Sequence, residues 1–149
     1  MAERVEDTVA LSKPSTLEYL GIHQPQRSPE VGALVQVQRV RISAIAALQR
    51  RLGIPAIDVA RLAGMAPRTY HRRTKANQQL SASEADATLR IARIAEEVER
   101  VFGDNERAMT WLKAPHSMLG GPPMSLLASD AGAEAVQDEL TRIAWGDLA

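Results

Sequence analysis

Residues 56–75 read AIDVARLAGMAPRTYHRRTK. Ala60, Gly64 and Tyr70 stand at positions 5, 9 and 15 of this 20-residue unit, and each place carries a steric demand. Two helices that cross closely need a small side chain at position 5. A glycine at position 9 adopts a left-handed turn without strain, and an apolar residue at position 15 holds the second helix down. Val59, Ala63 and Met65 supply further inner contacts. The spacing predicts a helix-turn-helix, with Pro67 opening the second helix where the missing amide is no loss.

The surroundings extend the helical reading in both directions. Before the unit, Ile45, Leu48 and Leu52 recur at helical spacing and stop at Gly53, and Pro55 suits the first turn of the next helix. After it, Ser81-Ala82-Ser83-Glu84 has the form of a capping box. The long helix so announced carries Ile91, Ile94, Ala95, Val98 and Phe102 on one stripe, ends at Gly103 and should bridge the two halves of the chain. Asp104 or Asn105 can cap another helix, with Met109 and Leu112 inward and a stop before Pro115. Pro115 to Pro123 is a Gly- and Pro-rich loop, followed by a short helical turn with Leu126 and Leu127. A final amphipathic helix, capped by Ser129 or Asp130, places Ala133, Val136, Leu140 and Ile143 on one face and closes at Gly146. Residues 1–30, with Pro14, Pro25 and Pro29, show no sustained period, and Val31 to Val40 fits either helix or strand.

The expected fold is therefore all-α, in three parts. Residues 1–41 form a partly flexible arm, 42–79 a helix-turn-helix DNA-binding bundle, and 80–149 a small helical domain. Composition agrees: 45% of the 149 residues are hydrophobic but only five are aromatic, which disfavours a strand-rich sandwich. Cysteine is absent, which excludes disulfides and thiolate metal sites. No apolar run approaches the roughly 20 residues of a membrane span, and the acidic, Pro-containing start lacks a signal-peptide pattern. A cytoplasmic protein without a membrane association is expected.

Net charge is zero, but unevenly distributed. Residues 1–79 hold twelve Lys and Arg against six Asp and Glu, whereas residues 80–149 hold six against twelve. Only the basic half suits a phosphate backbone. With Tyr70 inward, Arg68, Thr69, Arg72 and Arg73 fall on or near the outer face of the second helix, flanked by His71 and Lys75. Arg bonds two acceptors on guanine, Thr reaches a base or a phosphate, and the helix N-terminus favours a phosphate. One such unit makes too few contacts for strong specific binding, so operator recognition is expected from a dimer or a larger complex.

Residues 80–149 carry no catalytic constellation. His23, His71 and His116 are scattered, and no phosphate loop, nucleophile elbow or metal-binding motif is present. His116 reads as a loop residue, and Asp130, Asp138 and Glu139 as residues that cap or solvate the last helix. No cofactor, metal or enzymatic activity is expected. Trp145 either packs on Trp111 in the core or serves as an anchor for a partner.

The order of features across residues 42–149 resembles the Xre/ParS/MbcA-type antitoxins of RES–Xre toxin–antitoxin pairs. Ala66-Pro67-Arg68-Thr69-Tyr70 with Arg72-Arg73 is followed by Leu80-Ser81, Glu84, Leu89-Arg90 and Val101-Phe102-Gly103. Then come Ala108, Trp111-Leu112, Pro115, Leu119-Gly120-Gly121, Pro123, Leu126-Leu127, Gly132, Val136, Leu140, Ile143 and Gly146. The resemblance implies a C-terminal toxin-binding domain whose partner is a RES-type, NAD-degrading toxin, and a complex that represses its own operon by binding operator DNA. It also implies that Trp145, Gly146, Asp147, Leu148 and Ala149 plug the toxin's cleft, with Arg142 and Ile143 at the base. The rival reading is a stand-alone helix-turn-helix repressor whose C-terminal half dimerises or binds a ligand.

Overall fold

A computed structural model describes residues 40–146, and among these every extended regular element is a helix. The expected N-terminal arm up to residue 39, and Asp147, Leu148 and Ala149, lie outside the described residues. Helix α1 is Ser43–Leu52, α2 Ala56–Leu62, α3 Pro67–Lys75, α4 Ala82–Phe102, α5 Asn105–Lys113, α6 Pro123–Leu126 and α7 Asp130–Ala144.

Helix α1 buries Ala44, Ile45, Ala47, Leu48 and Leu52, and Gly53 ends it at φ +59, its amide on the Gln49 carbonyl. Arg50 and Arg51 in its last turn complement the negative end of the helix dipole. Pro55 precedes α2 as its cap residue instead of standing in its first turn. The start of α1 is clamped to the start of α4: the Leu80 amide donates to the Val40 carbonyl at 2.8 Å and the Ile42 amide to Gln78 at 2.9 Å. Val40 thus joins an isolated bridge that sets Arg41 opposite Gln79.

Helix α4 is the centre of the fold. The capping box forms, with Ser81 Oγ accepting from the Glu84 amide and Glu84 Oε2 accepting from the Ser81 amide. Its 21 residues give it a length of about 30 Å. The predicted stripe is widened by Ala85, Ala87, Thr88, Leu89 and Ala92, all buried, because α1, α5 and α7 all pack on this helix. Thr88 is completely buried, and its hydroxyl is satisfied by the Glu84 carbonyl at 2.7 Å. At the far end Phe102 is only half-buried.

Asp104 caps α5 by accepting from the Arg107 amide, and Ala108, Met109 and Leu112 point into the core. The loop expected after Pro115 contains a tight turn at Ser117–Leu119, closed by the His116 amide on the Gly121 carbonyl at 3.1 Å. Helix α6 then tucks Pro123 and Met124 inward. Ser129 caps α7, and Gly132 lets the two helices touch: a Cβ there would lie 2.1 Å from the Leu126 carbonyl oxygen.

Two contacts between α4 and α7, the Arg90–Asp130 ion pair and the Gln137–Glu97 hydrogen bond, both join residues 40 apart. A constant offset means the two helices run parallel. Their buried faces, with those of α1, α2 and α5, form one hydrophobic cluster reaching from Val40 to Leu140. The basic and acidic halves of the chain share that core.

Candidate functional site

The two helices of the 56–75 unit pack as their spacing requires. Ala60 has no exposed surface, so the crossing leaves no room for a larger side chain. The Met65 amide reaches the Ala60 carbonyl at 2.8 Å, and Gly64 makes the turn at φ +80. Val59, Ala63 and Met65 are buried, and Tyr70 is half-buried against the core. Pro67 occupies the first turn of α3.

Helix α3 itself buries no side chain completely. Arg68, His71, Arg72 and Lys75 are exposed and Thr69 is half-buried, its neighbour Tyr70 stacking edge-on with His71. Arg73 is different. Its Nη1 lies 2.6 Å from Glu84 Oε2, and its side chain is only 22% exposed. The same carboxylate oxygen closes the capping box of α4, so one glutamate both starts α4 and holds α3. Burial acts to raise the Glu84 pKa, but the Ser81 amide and the Arg73 guanidinium outweigh it and keep the carboxyl below its ordinary range. Arg73 therefore anchors the helix that the sequence expected it to help present. Around this face, residues 40–79 carry eight Lys and Arg and a single acid, Asp58, which is itself paired with Arg61 at 3.2 Å. The resulting field favours an anion.

The other predicted surface lies at the far end of α4 and α7. Trp145 is 85% exposed, which rules out the alternative in which it packs on Trp111. Trp111 instead lies against Phe102, at 5.6 Å between ring centroids, and His116, at 5.8 Å. Trp145 borders an open groove of about 380 Å³ between the ends of α4 and α7, with Arg100, Val101 and Ala144 among its other walls. Gly146 follows at φ +66, its amide on the Ile143 carbonyl.

Arg142, expected at the base of the tail, is bound to Glu139 through two donors, Nε at 2.9 Å and Nη2. Here the structure corrects the sequence reading. Asp130 and Asp138 are exposed, the former paired with Arg90, but Glu139 is buried. His116 Nε2 lies 3.3 Å from the same carboxylate, so this loop histidine is a structural contact of α7. Hydrogen bonding from Arg142 lowers the Glu139 pKa; burial opposes it, and the Arg142 and His116 charges reinforce it. The missed signal was positional. Glu139 stands three residues after Val136, on the edge of the apolar stripe, and three before Arg142.

Among the described residues no helix is long and apolar enough to cross a membrane, and no three acidic or histidine side chains converge as metal ligands.

Residues 33–93 match the family described as the antitoxin Xre-like helix-turn-helix domain, and residues 97–146 match the antitoxin Xre/MbcA/ParS C-terminal toxin-binding domain. The chain is 33% identical over 91 residues to antitoxin Xre of Photorhabdus laumondii, a stretch covering 60% of this chain and 62% of the relative. It is 35% identical over 80 residues to antitoxin Xre of Pseudomonas putida, covering 53% and 50%. Antitoxin Xre of Yersinia enterocolitica is 30% identical over 95 residues, covering 62% and 64%. The chain thus spans less than two thirds of the length of these relatives. The two family matches meet on α4.

Proposed function

Since the chain belongs, through both of its domains, to the Xre-type antitoxins, we propose that it neutralises a RES-type, NAD-degrading toxin and represses its own operon. In this reading the end of α7 and the tail, from Arg142 and Trp145 through Gly146, Asp147, Leu148 and Ala149, cover the toxin's active-site cleft. The observation that carries it is Trp145. A large aromatic side chain left 85% exposed, at the end of a segment matching a toxin-binding domain, has the character of an interface anchor.

DNA binding is assigned to α3. Arg68, Thr69, His71, Arg72 and Lys75 face the groove and the phosphates, while Arg73 fixes the helix through Glu84. The protein acts on the operator as a dimer or as a larger complex with its toxin, because a single helix-turn-helix gathers too few contacts.

Co-expression with the product of the neighbouring gene tests the main reading. The full chain should protect the host, and a chain lacking residues 146–149 should stay folded yet restore toxicity. Full protection by the shortened chain would refute the plug. A neighbour with no toxicity, or one that does not co-purify, would favour a stand-alone repressor.

A further inference from the structure

Trp145 is not the sole large apolar side chain left in solvent. Among the described residues Met118 is also exposed, at 72%, and it too lies within the segment matching the toxin-binding domain. We propose that the Ser117–Leu119 turn, presenting Met118, is a second toxin contact, separate from the C-terminal tail. The proposal rests on the antitoxin reading and names a further surface for the same partner.

The turn is built to hold its shape. The His116 amide bonds Gly121, the Leu119 amide bonds His116 and the Gly120 amide bonds Ser117, with Gly120 at φ +73. Leu119 packs on the core. The first foot of the turn is fixed twice more, by the His116 ring against Trp111 and by His116 Nε2 on Glu139. Met118 stands at the middle of this frame and contributes little to it. Serine at this place should serve the fold almost as well, since the methionine buries little. An adaptable thioether on a rigid turn does suit binding: the side chain moulds to a pocket, and little backbone entropy is lost on docking. Glu139 also holds Arg142, one turn before Trp145, so the turn and the end of α7 are braced by the same carboxylate.

The occupant is the toxin rather than a second copy of this chain. The turn lies inside the segment that matches a toxin-binding domain, whereas nothing about it is self-complementary. It is the size of a single anchor within a larger interface.

The test uses the full chain and the purified product of the neighbouring gene, with affinity read by calorimetry. Met118→Asp should weaken toxin binding by at least about tenfold, with the melting temperature, the oligomeric state of the protein alone and the operator affinity unchanged. Met118→Ser should reproduce the loss in smaller measure, without a new charge. Affinity for the toxin within about twofold of the unaltered chain would overturn the proposal and leave the antitoxin reading standing. So would a change in the oligomeric state of the protein alone, which would make the turn a contact between copies. Failure of the unaltered chain to bind that protein would overturn both.

Discussion

Helices α3 and α7, to which the proposed function assigns DNA and toxin binding, are secured in different ways. Helix α3 puts no side chain wholly in the core and is held by Tyr70, half-buried, and by the Arg73–Glu84 ion pair. Helix α7 sinks Ala133, Val136 and Leu140 into the core and adds a buried carboxylate. With only the half-buried Tyr70 reaching the core from α3, the Arg73–Glu84 ion pair supplies the rest of its hold and leaves the outer face open. Helix α7 is rooted through its apolar stripe along most of its length, and only its last turn lies open.

The largest expected effect tests whether these two regions belong to one core. Leu140 has no exposed surface, and Leu140→Ala should destabilise the protein by about 2–5 kcal/mol. Urea denaturation followed by tryptophan fluorescence and by helical circular dichroism should give coincident transitions. Separate transitions would show that α1 to α3 fold independently of α7.

Next comes Trp145→Ala. It should leave the melting temperature unchanged, as little is buried, while costing about 2 kcal/mol or more in toxin affinity. A clear fall in thermal stability would mean that Trp145 supports the fold instead of the interface.

Arg72 and Arg73 offer the sharper contrast. Arg72→Ala should weaken operator binding by about 1–3 kcal/mol if the side chain reads a base, or flatten the salt dependence by about one unit of slope if it meets a phosphate. Arg68→Ala should behave alike. Arg73→Ala should instead lower the melting temperature, and any loss of operator affinity should come with an unaltered salt slope. Gel-shift titrations at several salt concentrations separate these outcomes; unchanged binding by all three variants would remove α3 from the DNA interface.

The smallest effect is confined to acid. The carboxyl of Glu139 is held below the ordinary value of 4.5 in the folded chain, so its contribution is complete above that value and is lost as pH falls through the lower folded one. Glu84 follows the same sign. Glu139→Gln should therefore flatten the acid limb of stability against pH, measured by thermal melts between neutral pH and acid. An unchanged limb would show that the charge on Glu139 contributes nothing to holding α7.

Much of this was legible because it is local. The Ala60, Gly64 and Tyr70 spacing, the Ser81–Glu84 box and the stops at Gly53 and Gly103 concern residues within one or two helical turns, where backbone geometry leaves few options. The charge division between the halves and the basic outer residues of α3 could be counted directly. The sequence alone thus determined the helices, most of their ends, the crossing of α2 with α3 and the division of charge between the two halves.

Only the tertiary structure decided which outward candidates remained outward. Arg73 turned out to face Glu84, eleven residues away; Glu139 was drawn inward between Arg142 and His116; Trp111 found Phe102 and His116, leaving Trp145 exposed. The parallel run of α4 and α7 rests on pairs 40 residues apart. Helical periodicity says which face of a helix is apolar, but a charged residue on the border of that face goes wherever a counter-charge waits, and that depends on which distant helix the fold places beside it.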